Sequence, residues 1–197
     1  ESRKNISLRG KDYYQKLLTT YPNHSFITLS YLDLHNRLKE VEKQLEKNLK
    51  TAQKFTDKTK EGKVKDNQQE RNRLEEEISF LKGYIDKGDS VVPLSGTLTI
   101  EFGKTSENLY AGMNEEFKHY QPAIPTWFET AQHSFERGAE THNMGGIENN
   151  LEGGLINFKS KFNPTIEEFA GEFNYPTSSL YFLFNLAYKI RKKLRSR

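Results

Sequence analysis

Hydrophobic side chains recur at alternating intervals of four and three between residues 34 and 55, with lysine, glutamate, glutamine and asparagine filling nearly every position between them. This spacing places the apolar positions on one stripe of an α-helix. A second stripe follows after a polar, glycine-containing stretch at 56–66, and the two predict an antiparallel helical hairpin whose arms reach roughly 30–38 Å at ~1.5 Å per residue. The first stripe comprises Leu34, Leu38, Val41, Leu45, Asn48 or Leu49, Ala52 and Phe55, and the second comprises Leu74, Ile78, Leu81 and Ile85.

The segments on either side of the hairpin have the pattern of a folded domain. Before it, the sequence predicts a helix at 12–21 and a strand at 26–32, which is rich in β-forming residues. After it we expect strands at 91–102, 108–113, 141–144 and 167–173, and helices at 125–137, 153–162 and 178–194. The helix at 125–137 is expected to bury Trp127, Phe128, Ala131 and Phe135. The order predicts an α+β fold, in which residues 1–32 and 89–197 form one discontinuous domain and 33–88 form an inserted coiled-coil arm.

Composition agrees with a folded core that carries a very polar segment. Hydrophobic residues make up only 34% of the 197 residues, whereas aromatic residues reach 12%, which is high for a disordered chain. The net charge of +3 is too small to require a nucleic-acid partner. Cysteine is absent, which excludes disulfides and thiolate-ligated zinc, and the five histidines form no cluster in sequence, so no metal site is expected.

No run of about 18 apolar residues occurs, so no membrane-spanning segment is expected, and a cytoplasmic location fits the lack of cysteine. Because the chain opens with Glu1, without a signal peptide, we interpret it as a piece of a longer protein.

Several segments together resemble one family. These are ESRKNISLRGKDYY at the start, LSGTLTIEFGKTSENLYAGMNEEFKHYQP from Leu94 to Pro122, HNMGGIENNLEGGLINFKSKFNPTIEEFAGEFNYP from His142 to Pro176, and the inserted hairpin. The chain resembles the Fem transferases that build the interpeptide branches of peptidoglycan, most nearly the MurN and FemX type. The resemblance covers essentially all of this chain, but only about half of a family member.

The resemblance implies a fold and a reaction. Family members have two acetyltransferase-like subdomains side by side, so this chain would be the second, with the first upstream. They transfer an amino acid, here Ala, Ser or Gly, from aminoacyl-tRNA to an amine on the peptide stem of a lipid-linked or UDP-linked muropeptide. The expected partners are therefore aminoacyl-tRNA, the precursor, the N-terminal half of the same protein and, peripherally, the inner face of the membrane. No cofactor beyond the charged tRNA is implied, and this piece alone is expected to be inactive.

The resemblance also implies site residues. Phe158 and Lys159 occupy the places of the family's Phe-Lys pair, where the lysine would supply positive charge near the tRNA acceptor end or the developing oxyanion and the phenylalanine would wall the site. The alternative is a core phenylalanine beside a solvated lysine. Arg9 and Tyr13, four residues apart, match a pair that contacts the nucleotide-linked precursor, and Tyr110 matches another substrate-contacting tyrosine. All five residues are expected to face one pocket, although Tyr13 and Tyr110 could equally face the core.

Two other functions remain open from the sequence. A non-catalytic adaptor would bind RNA or a protein through the arm, whose lysines near the tip could contact tRNA phosphates. The basic tail from Lys189 to Arg197 could meet tRNA or anionic lipid headgroups, or complement a helix dipole. A small-molecule acetyltransferase is disfavoured, because no glycine-rich pyrophosphate loop is evident.

Overall fold

The structure is a computed structural model that describes residues 9–147, 152–171, 173, 175–178 and 180–195, with the backbone alone for 192–195. It forms two compact units, Glu1–Phe162 and Asn163–Arg197. In the first unit the helices are α1 (Lys11–Thr20), α2 (Leu34–Ala52), α3 (Glu61–Ile85), α4 (Ala123–Glu136) and α5 (Gly154–Lys159), and the strands are β1 (Ser25–Asp33), β2 (Val91–Phe102), β3 (Thr105–Met113) and β4 (Thr141–Asn143). Two 3₁₀ turns, Glu115–Tyr120 and Ser160–Phe162, complete it.

The four strands form one mixed sheet in the order β1-β2-β3-β4. The first three run antiparallel to their neighbours, whereas β4 is parallel to β3 and pairs with it only over residues 105–107 and 141–143. The α+β class predicted from the sequence is therefore confirmed.

Two irregularities in β2 and β3 set which side chains face which way. Tyr31 pairs with Pro93 immediately after Ser30 pairs with Ser95, so β2 carries an extra residue where its proline cannot donate to the ladder. In β3, Tyr110 pairs with Leu98 whereas Asn108 pairs with Thr99, which leaves Leu109 as a bulged residue. Because side chains alternate along a strand, one extra residue places Asn108 and Tyr110 on opposite faces of the sheet.

Helix α4 covers one face of the sheet through small hydroxyl side chains, not through aromatic ones. Thr126, Thr130 and Ser134 are 2%, 0% and 0% exposed, and each hydroxyl donates to the carbonyl four residues earlier. The facing strand also presents hydroxyls, and the pairs Ser95–Thr126 and Thr97–Thr130 lie 2.5 and 2.7 Å apart. Short, internally satisfied side chains let the helix lie close to the strand without an unpaired buried donor.

The sequence prediction for this helix was wrong about its buried face. Phe128 and Phe135 are 57% and 49% exposed, and Trp127 faces α5 rather than the sheet. Apolar periodicity favoured the aromatic positions because it gives no weight to hydroxyls that bond within their own helix.

Helices α2 and α3 follow β1 and precede β2 in the chain, and they pack against each other in antiparallel directions. Asn48 and Asn67 each donate a side-chain amide to the other's main-chain carbonyl, at 3.0 and 3.3 Å, which fixes the register of the two helices. The turn between them is shorter than the predicted 56–66, because α3 already begins at Glu61 and includes Gly62. Glycine in the first turn does not end a helix when its neighbours continue the main-chain pattern.

The main apolar cluster of the unit lies at the foot of this hairpin. Its members come from both helices, from β2 and from the first 3₁₀ turn, and Phe117 at its centre is fully buried. The buried set is Leu34, Val41, Leu74, Leu81, Val92, Leu94 and Phe117. The apolar stripes predicted from the sequence therefore join the two helices to each other and also attach the hairpin to the sheet.

A polar network at the edge of this cluster joins the same elements. Glu77 of α3 is 9% exposed and accepts hydrogen bonds from Arg37 of α2 at 2.7 and 2.8 Å and from the Tyr120 phenol at 2.7 Å. The guanidinium of Arg37 also lies over the Tyr120 ring, 5.6 Å from its centre. Burial, followed by the hydrogen bond to Glu77, raises the pKa of Tyr120 to about 12.

The second unit contains a helix α6 (Leu180–Arg195), close to the helix predicted at 178–194. The strand predicted at 167–173 is wrong over the residues that the structure describes there, since 167–171 and 173 have no regular secondary structure. Gly171 has φ +88°, which interrupts an extended backbone, and the described sheet of the other unit contains only β1 to β4. Glu172, together with residues 1–8, 148–151, 174, 196 and 197 from the resembling segments and the basic tail, lies outside the described residues.

No helix among the described residues combines the length and the hydropathy needed to cross a bilayer.

Replacing Glu77 should destabilise the protein far more than replacing an exposed carboxylate on the same helix. Glu77→Ala leaves the Arg37 guanidinium without its buried partner, and we expect the free energy of unfolding to fall by about 2–3 kcal/mol. Glu70→Ala removes an exposed pair with Arg73 and should change it by less than about 0.5 kcal/mol. Urea unfolding followed by circular dichroism measures both, and equal losses would contradict the role given to Glu77.

The Tyr120 phenol should give stability that depends on alkaline pH. Its pKa is raised from 10.0 to about 12 in the folded protein, so its contribution is complete below pH about 10 and is lost as the pH rises toward 12. The difference in free energy of unfolding between wild type and Tyr120→Phe should therefore be constant at neutral pH and shrink above pH about 10. A difference that grows with pH in that window would show that burial and Glu77 do not hold the phenol neutral.

Candidate functional site

Arg9, Tyr13 and Tyr110 come together as the sequence predicted, with Tyr14 as a fourth member. The Tyr110 phenol donates to the Tyr13 oxygen at 3.2 Å, and this hydrogen bond is the main cause that raises the pKa of Tyr110. The Arg9 guanidinium lies 5.3 Å from the centre of the Tyr13 ring. The rings of Tyr14 and Tyr110 meet edge to face at 5.1 Å, which attaches α1 to β3.

Two members of this cluster, Tyr14 and Tyr110, line an open groove on the sheet face that α4 leaves uncovered. The groove has a volume of about 460 Å³, and its lining is mostly apolar. Ile27 and Leu29 of β1, which line it, are 46% and 51% exposed. Gly96 lies close to β1, because a Cβ there would lie 3.2 Å from the Thr28 carbonyl oxygen and 2.5 Å from Leu29 Cδ2, which would have to move.

An apolar groove with a guanidinium and phenols beside it can bind a molecule that has both an apolar portion and anionic or hydroxyl oxygens. The guanidinium suits a phosphate or carboxylate, and the phenols suit sugar or phosphate oxygens.

Lys159 belongs to a second cluster, at the end of α5. It is 5% exposed, and its ammonium donates to the carbonyl oxygens of Gly145 and Gly146 at 2.7 and 2.8 Å. Gly145 has φ +75°, a conformation that favours glycine, so the turn can direct both carbonyls at one lysine. The solvated helix lysine considered from the sequence is therefore ruled out, because this side chain is buried and bound.

Phe158 lies beside Lys159 in an aromatic group between α5 and α4. Its ring is 5.2 Å from Trp127 and 5.6 Å from Phe162, both edge to face, and the Lys159 ammonium is 6.0 Å from the Trp127 ring centre. These contacts orient α5 and thereby hold the lysine in place.

The two clusters lie on different faces of β3 and do not share the groove. Asn108 points to the α4 face, where its side chain accepts from the buried Thr99 hydroxyl at 2.9 Å, and its carbonyl oxygen would lie 3.9 Å from a Cβ on Gly145. Tyr110, beyond the bulge, lines the groove, whereas Lys159 does not. Among the described residues, the structure therefore brings Arg9, Tyr13 and Tyr110 together and places Phe158 and Lys159 apart from them, and the roles given to these five residues stay predictions.

His142 of β4, which the sequence did not single out as a site residue, lies against Ser106 of β3. Its Nδ1 lies 2.7 Å from the Ser106 hydroxyl, and burial lowers its pKa, which favours the neutral ring at pH 7. Within the part of the chain that the structure describes, His142 Nε2 and Asn108 Nδ2 are buried and have no hydrogen-bond partner among protein atoms. Asn108 lies in the predicted strand NLYAGM, but the sequence did not indicate that it is buried, because a polar residue in a strand usually faces solvent.

The fold and the site define an α+β domain with a mixed sheet, a groove lined by two tyrosines with a third tyrosine and an arginine beside them, and a separate, buried lysine at a glycine turn. A sequence model of the FemAB family matches residues 1–189. The chain therefore belongs to the FemAB family.

Its curated relatives are transferases. The chain is 28% identical over 167 residues to a lipid II:glycine glycyltransferase of Staphylococcus saprophyticus subsp. saprophyticus, covering 82% of this chain and 39% of the relative. It is 24% identical over 204 residues to the aminoacyltransferase FemA of Staphylococcus aureus, covering 96% of this chain and 47% of the relative. A crystal structure of FemX superposes with a TM-score of 0.54 at 22% identity, over 80% of this chain and 43% of that one, which shows a shared fold. The chain thus spans less than half the length of these proteins.

Lys159 should contribute to stability as well as to any reaction. Lys159→Met removes two charge-assisted hydrogen bonds to the glycine turn, and we expect the free energy of unfolding to fall by about 1–3 kcal/mol. Lys161→Met, two residues on at an exposed position, should change it by less than about 0.5 kcal/mol. Thermal or urea unfolding of the two variants tests this, and a Lys159 variant as stable as wild type would mean that the glycine turn holds its shape without the ammonium.

Proposed function

We propose that this chain is the C-terminal part of an aminoacyltransferase that moves Ala, Ser or Gly from aminoacyl-tRNA onto the peptide stem of a peptidoglycan precursor. The support is membership of the FemAB family together with relatives named for adding glycine to lipid II and for aminoacyl transfer. The observation that carries the proposal is the cluster of Arg9, Tyr13 and Tyr110, of which Tyr110 lines an open, apolar groove.

The groove is the proposed acceptor side. A muropeptide precursor carries a diphosphate, sugars and a peptide with apolar side chains, so it needs both cationic and apolar contacts. Arg9 would bind a phosphate, Tyr13 and Tyr110 would donate to phosphate or sugar oxygens, and the apolar floor would take the peptide. The groove is open along one side, which agrees with a site that the rest of the polypeptide completes.

The glycine turn with Lys159 is the proposed donor side. The precursor amine attacks the ester carbon of aminoacyl-tRNA, a C–N bond forms, the C–O bond to the ribose breaks, and the amine proton ends on the departing ribose oxygen. The ester is already activated, so the protein's task is to align the reactants and to stabilise the oxyanion. Two carbonyls hold the Lys159 ammonium at one position, and such a fixed charge is what preorganised stabilisation requires. Phe158 would form the adjoining wall.

The fold details that go with this function are part of the same proposal. We infer that residues 1–32 and 89–197 are an acetyltransferase-like subdomain into which the coiled-coil arm, 33–88, is inserted. The support is the mixed α+β sheet and the fold shared with the FemX structure. Ala, Ser and Gly differ by only one or two atoms, and a binding pocket distinguishes such similar side chains by only ~1–3 kcal/mol of free energy.

The adaptor alternative rests on the hairpin. Its far end is rich in lysine, and an arm that bound RNA or protein would need neither the groove nor Lys159. The two functions therefore predict opposite results for point changes in the site and for shortening of the arm.

The complete protein should form a new amide on the precursor when it is incubated with charged tRNA. Mass spectrometry of lipid-linked and UDP-linked precursors with a mixture of alanyl-, seryl- and glycyl-tRNA identifies the amino acid and the acceptor. We expect Lys159→Met to lower turnover by about 10²–10³-fold at saturating substrate. Lys161→Met is the matched control and should keep wild-type turnover once both variants are shown to be folded.

Turnover that survives Lys159→Met would remove the role given to this lysine while leaving the reaction itself in place. Failure of the folded wild type to modify any precursor, combined with loss of a binding partner when the outer residues 49–66 are replaced by a short glycine-serine turn but not on Arg9→Ala, would favour the adaptor instead.

A further inference from the structure

The charge of the hairpin is divided sharply along its length. Residues 47–65, which form its far end, contain seven lysines and two carboxylates, a net charge of +5. The remainder of the hairpin, 34–46 and 66–85, contains six basic and eight acidic residues, a net charge of −2. A solvated surface usually intersperses positive and negative charges. The excess of lysine at one end is therefore a distinct feature of this hairpin.

The lysines of this basic tip (residues 47–65) are exposed, and most of them are not used within the chain. Only Lys50 forms an ion pair among the described residues, with Glu46, and Lys63 lies over the half-buried Phe55 ring at 6.0 Å. By contrast, the foot of the hairpin uses its charges internally, through the Arg37–Glu77 and Lys82–Glu42 pairs.

The basic tip also has a fixed position relative to the sheet. The first helix of the hairpin, α2, is 19 residues long and at ~1.5 Å per residue places the loop at its end about 28 Å from the sheet. The buried cluster around Phe117 and the Glu77 network hold the foot, and the reciprocal Asn48–Asn67 bonds hold the register further out. A contact made by the tip would therefore orient the sheet and its groove.

We propose that the basic tip docks on a membrane surface rich in anionic lipid. Four of its lysines, at 54, 58, 60 and 63, lie in the loop and first helical turn at the extreme end, where one planar surface can come within a Debye length of all of them at once. Each lysine near such a surface is worth about five-fold in affinity, so several together give useful, salt-sensitive attraction.

An anionic lipid surface fits the tip better than RNA does. All seven cations are lysines, which are hydrated point charges, and the tip has no arginine to form the planar fork used to recognise phosphates bidentately. Its one aromatic ring, Phe55, is half-buried beneath Lys63 and is not presented for stacking on a base. The inference concerns a different part of the chain from the groove and does not depend on the reaction proposed above.

Vesicle binding by the complete protein tests the proposal. The probe is a vesicle of phosphatidylglycerol and phosphatidylcholine without precursor, with pure phosphatidylcholine as the neutral reference, and binding is measured by co-sedimentation. The tip variant replaces Lys54, Lys58, Lys60 and Lys65 by Gln and leaves Lys63 over its ring. The foot variant replaces four exposed lysines, 39, 43, 82 and 87, by Gln, so both variants lose the same charge.

We expect the tip variant to bind anionic vesicles at least about ten-fold more weakly than wild type, and the foot variant to stay within about two-fold. Wild-type binding should weaken steeply between about 0.05 and about 0.3 M salt and be negligible on neutral vesicles. Far-ultraviolet circular dichroism and unfolding curves confirm that both variants fold.

Three results would overturn the proposal. Equal losses in the two variants would mean that overall charge, not the tip, governs binding. No loss in the tip variant would move any membrane contact elsewhere, for instance to the basic tail. If the tip variant still binds vesicles but no longer binds uncharged tRNA, measured by fluorescence anisotropy, the tip is an RNA-binding surface.

Discussion

The apolar contact at the foot of the hairpin is the interaction on which the first unit depends. Leu34 and Leu81 from the two helices, Leu94 from β2 and Phe117 from the 3₁₀ turn are buried together, so elements far apart in sequence share one core. Farther along the sheet, α4 is held mainly by hydroxyl pairs, which give specificity of position but little hydrophobic free energy. Loss of the foot would therefore remove most of the hydrophobic stabilisation of the sheet.

One extra residue in β3 organises the candidate site. Because Leu109 is bulged, the strand presents Asn108 to the covered face and Tyr110 to the open groove within three residues. The same strand thus serves two chemically different clusters, one of phenols beside a guanidinium and one with a buried ammonium at a glycine turn.

The sequence predicted the elements whose pattern is strong and local. The helical stripes, the β-rich runs before and after them and the helix near the C-terminus were all placed within a few residues. It did not predict features that depend on contacts with other elements of the fold. These are the buried hydroxyl face at Thr126 and Thr130, the bulge at Leu109, and the lack of a strand at the described residues of 167–173. Of the site, the grouping of Arg9, Tyr13 and Tyr110 was expected, whereas the burial of Lys159 by two glycine carbonyls depends on main-chain geometry that residue types do not reveal.

Strand β1 ends at Asp33 and β2 begins at Val91, and these two residues are paired in the sheet. The two strands are therefore joined at the base of the hairpin, whatever the length of the helices between them. Only the portion near Leu34 and Leu81 contributes to the shared core, and the stretch beyond the Asn48–Asn67 bonds touches little but itself. Whole heptads could accordingly be added to or removed from the outer portion while the register at the base is kept. The arm behaves as a spacer of adjustable length, and evolution could set how far its end stands from the groove without redesigning the domain that carries it.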